Sequence, residues 1–137
     1  MLNGMFKHSI AVRFGEVDLQ AVVFNAHYLA YCDDAVDTWW RGLSSDPGHT
    51  SPFASFGLDL LVKKATIEWH SSAKLADRLE ISCFVSRWGN SSFDVSFAGV
   101  VGSRAVFDAV TTYVMVDVIS RKPTRIPDEM RVLLSQS

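Results

Sequence analysis

Asp18 and Asn25 are the residues whose types and spacing could support catalysis. Asp18 stands in a loop between a strand pattern and a strongly apolar helix pattern, and Asn25, seven residues later, is typical of a helix N-cap. That spacing can hold a carboxylate beside the free backbone N–H groups of a helix N-terminus, where a carbonyl could be polarised. The stretch therefore predicts an acyl-transfer site with Asp18 as its working residue. The other interpretation of Asp18 is a loop carboxylate that forms an Asx turn or caps the helix.

Two further groups of side chains have types that could support chemistry. His27 lies two residues into the predicted helix and could assist acid–base catalysis, although a surface histidine of the first turn is the simpler interpretation. Asp33, Asp34 and Asp37 could suggest a metal site. No histidine or cysteine shares their helix face as a further ligand, so we interpret them as a solvated or subunit-facing stripe.

Length and composition are those of an ordinary globular domain. The 137 residues, 48% hydrophobic and 20% charged, predict a single domain over residues 1–137. A net charge of −2 provides no basic field for nucleic acid. No apolar run reaches the roughly 20 residues that a membrane-spanning helix needs, and the first residues lack the features of a signal peptide. We therefore expect a cytoplasmic protein with no nucleic-acid or membrane partner.

The two cysteines carry no signature of reactive or metal-binding thiols. Cys32 and Cys83 lie in apolar patterned segments, with neither a CxxC pair nor a histidine spacing typical of zinc. Buried thiols in a reducing compartment are the better interpretation. Together with the aspartate stripe, this predicts a protein that uses no metal or redox cofactor.

The proposed chemistry requires a strand, a loop and a helix in this order, and the apolar periodicity predicts them. Residues 9–14 alternate as a first strand, with Ile10, Val12 and Phe14 on one face. Over residues 26–43 the spacing becomes helical. The helix carries two apolar stripes, which comprise Tyr28, Tyr31, Cys32, Ala35 and Trp39, flanked by Leu29, Val36 and Trp40. A helix this apolar is expected to be wrapped by a sheet.

The rest of the chain is predicted to be mainly β-structure. Four strands are expected, followed by a short helix; they cover residues 58–70, 79–88, 92–101 and 105–118, and the helix residues 128–134. Gly89–Asn90 and Gly102–Ser103 form turns short enough for hairpins. Consecutive hairpins favour an antiparallel sheet with one face covered, and only the long helix can cover it. The sequence therefore predicts an α+β fold.

Residues 44–55 form the one clear loop, which is rich in Ser and Pro. Phe53 and Phe56 are aromatic residues at its end. They could line the mouth of a pocket or anchor the loop to the core, and the sequence leaves both interpretations open.

Four motifs follow one another along the chain. The first comprises Asp18, Val22-Val23-Phe24-Asn25, Tyr28-Leu29, Tyr31 and Asp33; the others are residues 72–79 (Ser-Ala-Lys-Leu-Ala-Asp-Arg-Leu), 87–93 (Arg-Trp-Gly-Asn-Ser-Ser-Phe) and 122–127 (Lys-Pro-Thr-Arg-Ile-Pro). In this order they resemble the motifs of the 4-hydroxybenzoyl-CoA thioesterase family of hotdog-fold acyl-CoA thioesterases. The resemblance implies a hotdog fold, in which a long central helix is wrapped by an antiparallel five-stranded sheet.

The chain departs from the family pattern near the proposed site. Ala21 and Ala76 replace glycines of the pattern, and Ser72 replaces a proline. Residues 33–36 are Asp-Asp-Ala-Val where family members often carry Glu-Arg-Ala-Arg. Ala21 matters most, because it borders Asp18. If its backbone requires a positive φ, alanine is strained there by roughly 1 kcal/mol or more.

The resemblance implies hydrolysis of an acyl-CoA to the free acid and coenzyme A. Asp18 would attack the thioester carbonyl or activate water, while backbone N–H groups around Asn25 would stabilise the oxyanion. Coenzyme A enters only as part of the substrate, and its phosphates require local positive charge. The implied contacts are Arg87, Asn90, Ser91, Ser92, Lys122 and Arg125.

The family's smallest unit is a dimer with joined sheets, which implies a homodimer or a dimer of dimers with sites at the subunit boundary. Five aromatic residues could shape the acyl pocket or belong to the core: Trp39, Trp40, Phe53, Phe56 and Trp69. An acyl carrier protein is an alternative thioester donor, because it shares the phosphopantetheine arm. Two other functions stay open: a hotdog hydratase or dehydratase, which typically needs an Asp–His pair, and a non-catalytic acyl-CoA-binding or sensing module.

Overall fold

The computed structural model describes residues 5–44 and 51–135, so residues 45–50 of the predicted loop lie outside the described part of the chain. Its elements are β1 (Phe6–Ala11), α1 (Ala26–Leu43), β2 (Leu58–Trp69), β3 (Arg78–Trp88), β4 (Ser92–Val101), β5 (Arg104–Asp117) and α2 (Asp128–Leu134). Within these residues the strands form one antiparallel sheet in the order β1-β3-β4-β5-β2. The predicted α+β arrangement is confirmed.

The boundaries predicted from periodicity agree closely, except for the first strand. α1, β4 and α2 begin and end at the predicted residues, and β2, β3 and β5 differ by one residue at one or both ends. The prediction for the first strand is wrong, because β1 lies three residues earlier, at Phe6–Ala11. Phe14 begins a 3-10 turn and is 81% exposed, whereas Ile10 and Val12 are buried. The alternation of apolar residues therefore continues beyond the point where the chain turns.

The face of the sheet that carries α1 forms the core. The first apolar stripe of α1 is buried throughout, but Leu29 of the second stripe is 38% exposed, contrary to the prediction. Trp39 stacks on Phe6 of β1 with 6.2 Å between ring centroids. Cys32 and Cys83 are buried and unpaired, and burial raises the pKa of both thiols, which confirms their interpretation as core residues.

A glycine in the sheet supports the start of the helix. Gly99 of β4 lies opposite Phe107 of β5, and a Cβ added at Gly99 would lie 2.2 Å from a carbon of the Phe107 ring. The ring of Phe107 in turn lies edge-on to Tyr28 in the first turns of α1, with 5.5 Å between centroids. Only glycine leaves room for this ring, so the position of Tyr28 depends on Gly99.

α1 extends from one end of the sheet to the other. Near its start Tyr28 contacts Trp69 at the end of β2, and near its end Trp40 contacts Phe93 and Tyr113. We call the first region the Asp18 end (residues 16–24, the start of α1 and residues 72–77) and the second the tail end (residues 87–92 and 121–131). Helix rise and strand rise both place the two ends about 30 Å apart.

Candidate active site

Asp18 lies at the tip of a tight antiparallel hairpin. Val17 bridges to Val23, and the backbone N–H of Asp18 donates to the carbonyl of Val22 at 2.9 Å. Its side-chain Oδ1 accepts the N–H of Gln20 at 2.8 Å, so Asp18 forms the Asx turn that was the alternative interpretation. Its Oδ2 has no hydrogen-bond partner among the described residues. The carboxylate is therefore fixed by one oxygen and leaves the other available.

The hairpin turns through a strained residue. Ala21 has φ 64°, in the left-handed region, and its N–H donates to the carbonyl of Asp18 at 2.9 Å. Ala76, the other alanine that replaces a family glycine, has φ 68°. Both positions need a backbone conformation that glycine adopts without strain and that costs alanine roughly 1–2 kcal/mol. The expected strain at Ala21 is therefore present, together with a second instance at Ala76.

Asn25 occupies the N-cap position of α1, as predicted, but its side chain does not cap the helix. It has helical angles, φ −50° and ψ −39°, and its side chain makes no capping hydrogen bond. A capping side chain requires an extended backbone, and here the helical turn already begins with the N–H of His27 donating to the carbonyl of Phe24 at 2.9 Å. Among the described residues, the N–H groups of Asn25 and Ala26 have no acceptor. The helix start thus presents free main-chain donors directly after the hairpin.

A third segment holds the hairpin to the helix. Ala73 accepts a hydrogen bond from the N–H of Val23 at 2.9 Å, and its own N–H donates to the phenol oxygen of Tyr28 at 3.1 Å. Val22 also bridges to Lys74. The first two sequence motifs therefore meet around the start of α1.

Glu16 and Tyr31 belong to the same region, although the sequence analysis assigned neither of them to the site. Tyr31 donates from its hydroxyl to Glu16 Oε1 at 3.0 Å, and Arg13 binds Glu16 Oε2 through Nε at 3.1 Å and Nη2 at 2.6 Å. Burial raises the pKa of Glu16, but the hydrogen bonds from Arg13 and Tyr31 outweigh it and hold the pKa below its usual value. The only sequence signal was an acidic residue two positions before Asp18.

The residues predicted to contact coenzyme A lie together at the tail end, but most of their charges are neutralised. Arg87 binds Asp94 through Nε at 2.9 Å and Nη2 at 3.1 Å, and Arg125 binds Asp128 at 2.9 Å. The paired guanidinium of Arg87 lowers the pKa of Asp94. Lys122 has no ion-pair partner among the described residues, so its ammonium is the available cation of the predicted set.

The turn at residues 89–92, which contains the other predicted contacts, is hydrogen-bonded to β5 and to the C-terminal residues 126–131. The carbonyl of Ser91 accepts the N–H of Met115 at 2.7 Å, and that of Asn90 accepts the N–H of Ile126 at 2.9 Å. Ser92 accepts a hydrogen bond from Arg87 at 3.1 Å. Arg131 of α2 donates to the carbonyl of Gly89 at 2.7 Å. The third and fourth motifs therefore form one rigid unit.

A cavity of about 280 Å³ lies between the second half of α1 and the start of β2. Its walls include Asp33, Trp40, Phe53 and Tyr113. Trp40 Nε1 and the Tyr113 hydroxyl are buried and have no hydrogen-bond partner within residues 5–44 and 51–135, and burial raises the pKa of Asp33. Phe53 is buried and lines the cavity, so both interpretations of this residue hold, whereas Phe56 is 41% exposed.

The remaining candidates have separate and simpler roles. Asp34 bonds to His8 at 2.8 Å, and Asp37 accepts from Arg41 at 2.6 Å. His27 is partly buried and lies edge-on to Phe24, and its ring has no hydrogen-bond partner among the described residues. Those residues contain neither a group of side chains that could hold a metal ion nor a helix long and apolar enough to span a membrane.

Comparison with known proteins decides the family. Residues 12–134 match the family model of the thioesterase-like superfamily. The chain belongs to this superfamily. It is also 26% identical over 127 residues to a 1,4-dihydroxy-2-naphthoyl-CoA hydrolase from Nostoc punctiforme, an alignment that covers 91% of this chain and 83% of the relative.

Solved structures confirm the hotdog fold of this thioesterase. A 1,4-dihydroxy-2-naphthoyl-CoA thioesterase from Synechocystis gives a TM-score of 0.81 at 19% identity, with 95% of each chain covered. A probable thioesterase from Escherichia coli gives 0.80 at 25% identity, with 95% of this chain and 96% of that chain covered. The predicted fold, family resemblance and enzyme class are therefore confirmed.

The site residues predicted for this thioesterase do not meet within one chain. Asp18 and Asn25 lie at the Asp18 end, whereas Arg87, Lys122 and Arg125 lie at the tail end, about 30 Å away by strand rise.

Proposed function

We propose that this thioesterase hydrolyses an acyl-CoA to the free acid and coenzyme A, with Asp18 as its catalytic carboxylate. The observation that carries the proposal is the hairpin that joins Asp18 directly to the free N–H groups of Asn25 and Ala26. Thioester hydrolysis needs a carboxylate with an available oxygen and N–H donors for the oxyanion, and the described residues leave Asp18 Oδ2 and the N–H groups of Asn25 and Ala26 without partners.

Two routes fit these groups. In one, Asp18 attacks the thioester carbonyl carbon, the C–S bond breaks to release the CoA thiolate, and water hydrolyses the resulting anhydride. In the other, Asp18 removes a proton from water as the water attacks the carbonyl. In both, the N–H groups of Asn25 and Ala26 stabilise the oxyanion, aided by the dipole of α1.

A second chain completes the proposed site. β2 is an edge strand of twelve residues that is paired with β5 on one side, and Leu61 and Val62 on it are 43% and 59% exposed. Such an edge favours pairing with another strand. β2 runs from the tail end to the Asp18 end, so antiparallel pairing with its copy about a two-fold axis places the Asp18 end of one chain beside the tail end of the other. Lys122 of the partner subunit would then face the CoA phosphates.

The cavity beside α1 fits an aromatic acyl group that carries a hydroxyl. In the proposed dimer it lies near the Asp18 end of the partner. Trp40, Phe53 and Tyr113 provide aromatic walls, and Asp33 is a carboxylate with no partner in the described part of the chain, so it could accept a hydrogen bond from a hydroxyl group. The relative from Nostoc punctiforme is named for a dihydroxynaphthoyl thioester, which has this chemistry. We therefore propose hydroxyaryl-CoA thioesters as the preferred substrates.

The decisive experiment measures hydrolysis by wild type and Asp18→Asn across a panel of aryl and aliphatic acyl-CoA and acyl carrier protein thioesters. We expect Asp18→Asn to reduce kcat by at least about 10²-fold, as removal of a catalytic base or nucleophile does. Asp108→Asn, an exposed carboxylate of β5, is the matched control and should retain activity. Full activity of Asp18→Asn would refute its role. Binding of acyl-CoA by wild type without hydrolysis of any thioester would indicate a sensing module instead.

A further inference from the structure

Glu16 connects the hairpin to the helix through both its side chain and its main chain. Its Oε1 accepts the Tyr31 hydroxyl at 3.0 Å, which ties it to the second turn of α1. Its carbonyl accepts the N–H of Phe24 at 3.0 Å, immediately before the free donors of Asn25 and Ala26. Asp18 follows Glu16 by two residues. One residue therefore fixes the hairpin at two points on either side of the proposed catalytic groups.

The side chain of Glu16 is fully engaged inside the protein. Oε1 also accepts the backbone N–H of Arg13 at 2.8 Å, and Oε2 takes the two bonds from the Arg13 guanidinium. The Glu16 side chain is only 12% exposed, whereas that of Arg13 is 76% exposed. The bonds to Arg13 and Tyr31 use both carboxylate oxygens, so Glu16 does not serve as a second base for the substrate.

We infer that Glu16 and Tyr31 are positioning residues, which hold the Asp18 carboxylate at a fixed distance from the N–H groups of Asn25 and Ala26. The inference rests on the proposed function, because it assigns the pair an effect on the same site. Displacement of a catalytic group by about 1 Å can reduce turnover by about 10²-fold, so a single hydrogen bond at this position has a large influence on rate.

The inference predicts a specific pattern of kinetic effects. Tyr31→Phe removes only the hydroxyl, and Glu16→Gln removes only the charge. We expect each to reduce kcat by about 10-fold while KM for the acyl-CoA changes by less than about twofold, because the substrate contacts persist. The double variant should be about as impaired as the more impaired single variant, since Tyr31→Phe removes and Glu16→Gln weakens the same Tyr31–Glu16 hydrogen bond. Glu80→Gln, which removes an exposed carboxylate paired with Lys7, is the matched control and should leave kcat unchanged.

A second readout does not depend on activity. Hydrogen exchange at the amide of Phe24, which is bonded to the Glu16 carbonyl, should be faster in Tyr31→Phe and Glu16→Gln than in wild type. Faster exchange with unchanged kcat would show a purely structural role and overturn the inference. Unchanged exchange would overturn it as well, because the pair would not then hold the hairpin.

Combination with Asp18→Asn separates the inference from the proposed function. If Asp18 acts as proposed and Glu16 positions it, Glu16→Gln should cause no further loss in the Asp18→Asn background. If Glu16→Gln reduced kcat in the Asp18→Asn background by the same factor as in wild type, the positioning role would be overturned while Asp18 remained the catalytic group. Retention of full activity by Asp18→Asn alone would instead refute the proposed function.

Discussion

The Asp18 end and the tail end differ in how many of their candidate functional groups are already engaged within the protein. At the Asp18 end, the N–H groups of Asn25 and Ala26 have no acceptor among the described residues, and Asp18 uses one oxygen within the protein. At the tail end, Arg87 and Arg125 are paired with carboxylates. The N–H donors of the Asp18 end are therefore available to a substrate, whereas the guanidinium donors of the tail end are already bound to carboxylates.

This difference assigns different tasks to the two ends. Unpaired main-chain donors with a nearby carboxylate can stabilise a charge that develops during reaction, because they need no rearrangement at that moment. Cations that are already paired attract a phosphate less strongly, so under the proposed function we expect Lys122 to be the main electrostatic contact at the tail end. We therefore expect the Asp18 end to determine turnover and the tail end to contribute mainly to affinity and rigidity.

The largest expected effect is the recovery of activity when one subunit of a dimer carries a substitution at the Asp18 end and the other carries substitutions at the tail end. Asp18→Asn and the double variant Lys122→Glu/Arg125→Glu should each be nearly inactive at low substrate concentration. Refolded together at equal amounts, they should recover about a quarter of wild-type activity, because half of the dimers are mixed and each mixed dimer has one intact site. Steady-state hydrolysis of the mixture measures this.

The control is each variant refolded with itself, which should show no recovery. A mixture no more active than its components, although mass spectrometry shows mixed dimers, would mean that both ends serve one chain. That result would contradict the division of the site between subunits.

The next effect tests how the sheet supports the Asp18 end. Gly99→Ala places a Cβ against the ring of Phe107 and should displace Tyr28, which holds Ala73. Overpacking of this kind destabilises by about 3 kcal/mol, measured as the free energy of unfolding in urea. Gly42→Ala has open space around the new methyl group and should stabilise α1 by up to about 1 kcal/mol. Equal effects of the two substitutions would show that Phe107 moves away freely.

The smallest expected effect concerns the backbone strain at Ala21 and Ala76, the two alanines of the Asp18 end with a positive φ. Ala21→Gly and Ala76→Gly should each increase the free energy of unfolding by about 1 kcal/mol, because both positions have a positive φ. Ala30→Gly, at an exposed position in the second turn of α1, should instead decrease the free energy of unfolding by about 1 kcal/mol. Urea unfolding curves compare the three. Destabilisation by Ala21→Gly would show that the hairpin relaxes to another conformation when it is free to do so.

The periodicity of apolar residues was sufficient to predict most of the helices and strands, but not the conformation of the hairpin that carries Asp18. The bounds of α1 and β4 follow from the 3.6- and 2-residue repeats of apolar side chains, which the core requires. Phe14 was wrongly placed in the first strand, and the side chain of Asn25 does not cap α1 although the residue stands at the predicted N-cap position; each residue type suits the expected role, but the local backbone excludes it. The residue type indicates which interactions a side chain can make, but the local backbone conformation decides which direction the side chain faces.

The candidate site was predictable in its residue types and not in its geometry. Asp18 was identified from its spacing to the helix and from motif order. Glu16 was missed because its partner Tyr31 is fifteen residues away in the chain, and no local pattern connects the two. The ion pair between Arg87 and Asp94 was missed for the same reason, since the two residues meet only across the paired strands β3 and β4.

The sequence by itself determined the α+β hotdog fold, the bounds of α1 and α2 and the thioesterase class, and it singled out Asp18 as the candidate catalytic residue. These follow from local periodicity and from ordered motifs, which need no knowledge of distant contacts. Only the tertiary structure decided that the helix start presents N–H groups with no acceptor among the described residues, that Ala21 and Ala76 are strained, and that the predicted CoA contacts lie at the opposite end of the sheet. Those properties depend on which backbone groups find partners across the fold, and that pairing is set by strand register and helix packing.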